Sequence, residues 1–288
     1  MLKRKKEKFN LRKQKGWLAG SSATQIICVS FLLVIAAGTL LLSLPIASKQ
    51  GRLGLVDALF TATSATCVTG LVVRDTWTQF TFFGQAVLLL LIQVGGLGLV
   101  TLTSFFALAA RRRMGFRDLR LLGESVSADG YAQAKDVLKI VVGLAALFEG
   151  IGVLLLLFAF VPQYGLEGIW VSVFTAISAF CNAGFDLFGR FGQYSSLVPY
   201  VHNYYVQFVI MLLIITGGLG FMVWVEIGQY HKKHKLSLHA KVVLSFSVIL
   251  WVGGAVLLGL MEWNNPASMG GLSVPDKIMA ALFQSVST

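Results

Sequence analysis

The sequence predicts an all-α polytopic membrane protein built from repeated units, each with a membrane span, a short half-helix and a second span. Hydrophobic residues make up 56% of the 288 positions and charged residues only 13%, which is too apolar for a soluble globular domain. Long and short apolar stretches also alternate in a repeated order. The chain is therefore expected to contain two complete units and the start of a third.

Some apolar stretches are long enough to cross a hydrocarbon core of about 30 Å as helices. They are residues 25–46, 79–110, 137–161, 204–227 and 242–261. Shorter apolar stretches lie at 55–64, 168–178 and 277–287. Each short stretch covers about three helical turns, which predicts a half-helix that enters the membrane and returns.

Two of the short stretches continue into segments that are alike in sequence. Residues 60–70 read FTATSATCVTG and residues 174–184 read FTAISAFCNAG. Each is followed by a span that contains Gly-Gly-Leu-Gly, a pattern expected to pack helices closely. Irregular backbone at bilayer depth is tolerated only where it is buried in protein or lines a water-filled path. The two loops are therefore the candidate functional site.

A cation that enters a membrane exchanges its hydration shell for other oxygens, and backbone carbonyls supply them without burying a charge. Glycine adopts left-handed backbone angles at low cost, so that successive carbonyls can point toward one axis. Gly70 and Gly184 lie where such a strand needs them. Each loop also follows the carboxyl end of a half-helix, whose dipole favours a cation. The loops thus have the features of an ion pore.

Three acidic residues are further candidates for a role in ion transport. Asp75 and Asp186 follow the loops and are candidates for concentrating cations at the outer mouth, although Arg74 beside Asp75 would weaken that field. Glu149 lies in the middle of a predicted span, where a carboxylate either relays ions or links two helices through a hydrogen bond. The sequence alone leaves these alternatives open.

The basic residues are unevenly distributed in a chain whose net charge is +11. Most Lys and Arg residues lie in the N-terminal arm and in the connections after the second and fourth spans; the exceptions are Lys49, Arg52, Arg74, Arg190 and Lys277. This asymmetry predicts a cytoplasmic N-terminus, with half-helices that enter from outside. The basic segments are expected to contact anionic lipid headgroups and not nucleic acid.

Further motifs run along nearly the whole chain: ALFTA at 58–62, TGL at 69–71, QVGGLG at 93–98, VPQYG at 161–165, SAFCNAGF at 178–185 and SLHAK at 237–241. Together they resemble the Ktr-type membrane subunit of the Trk/Ktr/HKT potassium-transporter superfamily. That family folds as four span, pore-loop, span repeats in a pseudo-four-fold arrangement, forms homodimers and works with a cytosolic nucleotide-binding regulatory ring.

The resemblance also assigns roles to residues of both loops. It implies that half of a selectivity filter is supplied by Val68, Thr69, Gly70, Leu71, Asn182, Ala183, Gly184 and Phe185, with Thr66, Cys67 and Cys181 at its flank. Relatives with Ser in place of the first filter Gly admit more sodium, and this chain has Gly70 there.

The function implied by the resemblance is potassium uptake across a prokaryotic cell membrane. The protein would be a multi-pass transporter and not an enzyme, with K⁺ as the transported ion, no bound cofactor and no other metal site. Three alternatives remain open, namely coupling to sodium, transport of sodium or another monovalent cation by the same fold, and a secondary transporter.

The expected division of the chain follows the repeats. The basic cytoplasmic arm is 1–24, the first pore repeat 25–112, a connection 113–135, the second repeat 136–231, a connection 232–241 and an incomplete third repeat 242–288. Phe283 aligns with Phe60 and Phe174, so the sequence stops inside the third half-helix. We expect the reading frame to continue through a third filter loop, the gating loop of the family and a fourth repeat.

Overall fold

The computed structural model describes residues 23–98 and 134–288, and within these ranges the chain is helical. The α-helices are α1 Ala23–Leu42, α2 Leu55–Thr66, α3 Thr76–Gln79, α4 Phe82–Gly96, α5 Ala134–Tyr164, α6 Glu167–Phe180, α7 Tyr204–Gly218, α8 Phe221–Lys233, α9 Leu238–Glu262 and α10 Val274–Ser287. The predicted all-α class is confirmed. Nearly all of the connection 113–135 and of the arm 1–24 lies outside the described residues.

Two of the described helices are long and apolar enough to cross a membrane, Lys139–Tyr164 within α5 and Leu238–Glu262, which is α9. Both expose large apolar side chains on their outer faces, for example Phe158 and Leu260, each 76% exposed. A helix satisfies its own backbone hydrogen bonds, so an apolar outer face can lie in hydrocarbon without cost. These features are those of a membrane protein.

The short helices α2, α6 and α10 correspond to the predicted half-helices and extend up to three residues beyond the predicted bounds. Helix α6 packs against α5 and α7, while α2 packs against α1 and α4. The buried core lies between these helices and includes Phe80, Leu88, Phe160 and Phe174. Each half-helix is thus held between longer apolar helices, which also fixes the position of the loop that follows it.

The fourth predicted span, 204–227, is not one continuous helix. Helix α7 and the segment Val223–Tyr230 of α8 meet at an angle of 99°. Gly220, which directly precedes α8, has a φ of +84°, a backbone angle that favours glycine, and Trp224 Nε1 donates to the carbonyl oxygen of Thr216 across the bend at 2.8 Å. Apolar residues continue on both sides of Gly220, so composition alone gave no sign of the break.

The ends of two other predicted spans also differ from the sequence pattern. Helix α1 ends at Leu42 and not near residue 46, because a 3₁₀ turn at Pro45–Ala47 follows. A proline disfavours helical angles at the residue before it. Helix α4 ends at Gly96, and Gly98 has a φ of +69°. The remainder of the predicted span 79–110 lies outside the described residues.

Glycines let α4 and α7 approach the carboxyl ends of the half-helices. A β-carbon on Gly95 would overlap the carbonyl oxygen of Thr66, the last residue of α2. A β-carbon on Gly217 would overlap the carbonyl oxygen of Phe180, the last residue of α6. The two Gly-Gly-Leu-Gly segments therefore bring backbone against backbone at equivalent points of the two half-helices.

We expect Gly95→Ala to destabilise the protein, because the added methyl group would overlap a backbone oxygen that can move only with α2. Overpacking of this kind costs about 1–3 kcal/mol. Gly143→Ala is the matched control, since this helical glycine has no neighbouring atom within 4 Å of an added β-carbon. Thermal unfolding of the purified protein in detergent should show a lower Tm for Gly95→Ala alone. Equal Tm values for the two variants would contradict the close approach.

Candidate functional site

The chain leaves α2 and α6 with the same backbone conformation. Val68 and Asn182 both have a φ of +56°, and Gly70 and Gly184 follow with φ values of +74° and +72°. A left-handed residue commonly ends a helix, and Gly and Asn tolerate that conformation. A β-branched Val does so at a cost of order 1–3 kcal/mol. The surroundings of the first loop must therefore hold Val68 in place.

Backbone hydrogen bonds fold both loops back onto their half-helices. The N–H groups of Thr69 and Ala183 donate to the carbonyl oxygens of Ser64 and Ser178, at 3.0 and 2.8 Å respectively. Across a trans peptide, the carbonyl of the preceding residue points in the opposite direction. The carbonyls of the two left-handed residues, Val68 and Asn182, therefore point away from the half-helices.

The two loops lie against each other at their glycines. A β-carbon on Gly70 would lie 2.9 Å from the carbonyl oxygen of Ala183, and one on Gly184 would lie 3.4 Å from the Cα atom of Gly70. Residues from loops far apart in sequence, each predicted as half of a filter, thus meet in one place. This contact is the central feature of the candidate site.

The remaining predicted site residues differ in exposure. In the first loop Cys67, Thr69 and Leu71 are exposed, whereas Thr66 is fully buried. In the second loop the exposed Asn182 and Gly184 alternate with buried residues, which are Cys181, Ala183 and Phe185. A cavity of about 270 Å³ lies beside the second loop, and the residues that line it include Thr175, Asn182, Gly184, Asp186, Ser196, Gln284 and Ser287.

Asp75 is buried, and backbone groups satisfy its carboxylate. Oδ1 accepts the N–H of Thr78 at 2.8 Å, which caps the N-terminus of α3, and Oδ2 accepts the N–H of Tyr194 at 3.1 Å. Gly189 leaves room for the same carboxylate. Asp75 thus ties the segment after the first loop to the segment after the second.

Asp186 and Arg74 also have defined partners. Asp186 is half-buried in the segment that follows the second loop, and its Oδ1 accepts the N–H of Phe188 at 2.9 Å. Burial raises the pKa of Asp186, and this hydrogen bond opposes the rise. Arg74 pairs with Asp57 at 2.9 Å. Arg74 was expected to weaken the field of Asp75, but its ion pair is with Asp57.

Cations on the predicted outer side lie over aromatic rings. The guanidinium carbon of Arg190 lies 4.1 Å from the ring centroid of Trp77 and 4.2 Å from that of Tyr164. Its Nη2 is also 2.9 Å from Oε2 of Glu167. Lys49 Nζ lies 4.5 Å from the ring centroid of Trp77 and donates to its carbonyl oxygen at 2.6 Å. These contacts join segments that follow both loops and hold the positive charges in fixed places.

Glu149 links two helices beneath the second loop. Gln93 Nε2 of α4 donates to Oε1 of the buried Glu149 of α5 at 2.8 Å. Gln93 Oε1 lies 4.0 Å from Sγ of Cys181, which is a weak donor. Of the two roles considered for Glu149, this hydrogen bond favours the one in which Glu149 links two helices. The sequence pattern did not indicate Gln93, because an isolated Gln in a span gives no hint of its partner.

Two serines of the half-helices also contact the loops and were not predicted. Ser64 Oγ donates to the carbonyl oxygen of Leu71 at 2.7 Å, and Ser178 Oγ donates to that of Phe185 at 2.6 Å. Both serines occupy the same position in the two similar segments, and this repetition could have indicated that they contact the loops.

The described residues contain no group of three or more His, Cys, Asp and Glu side chains that could hold a metal ion. Cys28, Cys67 and Cys181 all lie within the described ranges and are free thiols.

Taken together, apolar helices and two half-helices that end in contacting loops define an all-helical membrane protein. The chain belongs to the TrkH family, described as cation transport protein, which matches residues 2–288. The expected relationship to the Trk/Ktr superfamily is confirmed. Because the family is one of transport proteins, the expectation that the chain is not an enzyme is also confirmed.

Three relatives illustrate the similarity. The potassium/sodium uptake protein NtpJ of Enterococcus hirae is 37% identical over 268 residues, which cover 92% of this chain and 58% of that protein. The Ktr system potassium uptake protein B of Bacillus subtilis is 38% identical over 264 residues, covering 91% of this chain and 58% of the relative. Its namesake in Vibrio alginolyticus is 38% identical over 266 residues, with 91% and 57% covered. The chain therefore spans less than two thirds of the length of each of these relatives.

We expect Asp75→Ala to lower the free energy of unfolding by about 1–3 kcal/mol, since it removes the charged acceptor of the N–H groups of Thr78 and Tyr194. Asp57→Ala is the control, because its ion pair with Arg74 is partly exposed and contributes only about 0–1 kcal/mol. Denaturant unfolding of the purified protein in detergent measures both changes. Equal effects would show that Asp75 does not hold the loop segments together.

Proposed function

We propose that this chain is the ion-translocating membrane subunit of a Ktr/Trk-type uptake system and that the ion is K⁺. The observation that carries the proposal is the contact between Gly70 of the first loop and Gly184 of the second, in loops of matching backbone conformation. Membership of a cation transport family supports it. So do the names of the relatives, which describe potassium uptake proteins.

The proposed chemistry is coordination by backbone carbonyls. Val68, Thr69, Gly70 and Leu71 with Asn182, Ala183, Gly184 and Phe185 form half of a selectivity filter, with Thr66, Cys67 and Cys181 at its flank. Backbone carbonyl oxygens of these two strands replace the hydration shell of the ion, and the carboxyl ends of α2 and α6 contribute a favourable dipole. The other half comes from two further repeats, so that four repeats surround one pore.

The proposed assembly also follows the family resemblance. Two copies of the membrane subunit form a homodimer, and a cytosolic nucleotide-binding ring binds their basic cytoplasmic face. Asp75 and Asp186 keep a proposed role in cation attraction at the outer mouth, which for Asp75 acts through the field of its buried charge and not through direct contact with the ion. The protein itself holds no cofactor.

Sodium transport is the second candidate. The relative from Enterococcus hirae is named a potassium/sodium uptake protein, which supports Na⁺ as a second transported or coupled ion. Gly70 favours K⁺, because a residue without a side chain leaves the strand of carbonyls undistorted where the two loops touch.

The proposed location is the prokaryotic cell membrane, crossed several times, with the N-terminus in the cytoplasm. The segment between α1 and α2 should then face outward, and the segment between α8 and α9 should face the cytoplasm. In a variant without the three native cysteines, a membrane-impermeant maleimide should label Gln50→Cys in intact cells and Lys235→Cys only after lysis. Both residues are exposed. The reverse pattern of labelling would invert the proposed orientation.

Gly70→Ser should lower the preference for K⁺ over Na⁺. At a φ of +74° a side chain is strained, and its β-carbon would lie 2.9 Å from the carbonyl oxygen of Ala183. Gly51→Ser is the matched control, because Gly51 has a φ of +88° but no atom within 4 Å of an added β-carbon. Uptake of both ions is measured in a strain deficient in potassium transport. We expect the ratio of K⁺ to Na⁺ uptake to fall about tenfold or more for Gly70→Ser, equivalent to 1.4 kcal/mol of discrimination.

Three outcomes separate the parts of the proposal. No uptake of either ion by the unaltered full-length protein would reject transport by this protein. Uptake with an unchanged ratio in Gly70→Ser would remove Gly70 from the filter. An equal loss of preference in Gly51→Ser would attribute the effect to backbone strain alone.

A further inference from the structure

Ser64 and Ser178 make the same pair of bonds across their loops. The hydroxyl of each donates to the carbonyl oxygen of the residue seven positions on, at 2.7 Å for Leu71 and 2.6 Å for Phe185. The main-chain carbonyl of each accepts the N–H of the residue five positions on, as described above. Both serines are buried, at 3% and 2% exposure. One residue thus holds the beginning and the end of each four-residue strand.

Neighbouring hydroxyls in the same half-helices bond differently. Thr61 and Thr63 of α2 and Ser172 of α6 each donate to the carbonyl oxygen four residues earlier in the same helix, at 2.7 Å. That is the usual choice for a hydroxyl within a helix. Ser64 and Ser178 depart from it in both half-helices, so their bonds to the loops are a specific feature of these two positions.

The carbonyls at the two ends of each strand point in opposite directions. The carbonyls of Val68 and Asn182 point away from the half-helices, whereas those of Leu71 and Phe185 point back toward them and are taken by the serine hydroxyls. A carbonyl that accepts a short buried hydrogen bond is held in that direction.

We propose that Ser64 and Ser178 are positioning residues that determine ion specificity, because they fix the outer end of each strand and turn the carbonyls of Leu71 and Phe185 away from the ion. Coordination by these two loops then ends at Gly70 and Gly184. The inference rests on the proposed function and deepens it, since it separates the residues that bind the ion from the residues that hold the strand.

In the first loop a third residue joins the hydrogen bonds between Ser64 and the loop. Thr69 Oγ1 donates to Ser64 Oγ at 2.9 Å, so that the three residues Thr69, Ser64 and Leu71 form a chain of hydrogen bonds. Such chains strengthen each bond in them. The second loop has Ala183 at the equivalent position, which is fully buried.

The test compares alanine variants of both serines with matched controls. Ser178→Ala and Ser64→Ala remove the hydroxyls that reach the loops, while Ser172→Ala and Thr61→Ala remove buried hydroxyls that bond within the same half-helices. Ser178→Thr and Ser64→Thr restore a hydroxyl. Full-length proteins are produced in cells deficient in potassium transport, membrane amounts are equalised by immunoblot, and initial rates of K⁺ and Na⁺ uptake are measured.

We expect the ratio of K⁺ to Na⁺ uptake to fall about tenfold in Ser178→Ala and Ser64→Ala, and to recover in the threonine variants. The two control variants should keep the original ratio. An unchanged ratio in the alanine variants, with K⁺ uptake intact, would overturn the proposed role of the serines and leave the proposed function standing.

Two further results are also decisive. If the alanine variants are absent from membranes while the threonine variants are present, the serines serve folding and not specificity, and the inference is overturned. If the unaltered protein takes up neither ion, the proposed function fails first and the inference fails with it.

Discussion

Where a chain leaves a helix inside a bilayer, its backbone N–H and C=O groups need partners within the protein or in a water-filled path, because hydrocarbon offers none. The two loops after α2 and α6 meet this requirement in the same way. A left-handed residue follows the end of the helix, and the N–H of the next residue donates to a serine carbonyl. The hydroxyl of the same serine donates to the carbonyl two residues after that N–H. In the proposed function, the other carbonyls of each strand face the ion. The same hydrogen bonds that satisfy backbone groups of each loop also set its direction.

The arrangement of the surrounding helices follows from these loops. Helices α4 and α7 cover the carboxyl ends of the half-helices with their backbones in direct contact. Gly95 and Gly217 permit this contact because they have no β-carbon. On the outer side, Asp75 and Arg190 connect the segments that follow the loops. Beneath the second loop, Gln93 joins α4 to Glu149 of α5. The half-helices are thereby held at both ends, and the loops between these contacts have little freedom to separate.

Features that depend on local composition and repetition were predictable from the sequence, whereas features that depend on tertiary partners were not. Apolar stretches and the two similar segments indicated the half-helices and the glycines at which the loops meet. The break at Gly220 was missed because apolar residues flank it on both sides. The φ of +56° at Val68 opposes the preference of a β-branched residue, so no propensity could have indicated it. The partners of Asp75 lie in segments distant in sequence, and only the folded chain brings them together.

The two loops reach one backbone conformation by different means, which bears on how the proposed pore can be built from unlike repeats. The first loop exposes Thr69 and Leu71 and is held by a chain of hydroxyl hydrogen bonds through Ser64. The second replaces that threonine with Ala183 and holds its strand through burial of Ala183 and Phe185 as well as through Ser178. Since a cation responds to the positions of carbonyl oxygens and not to side-chain identity, such repeats can diverge in sequence while their backbones stay equivalent. Gly70 and Gly184, where the backbones touch, allow the least divergence.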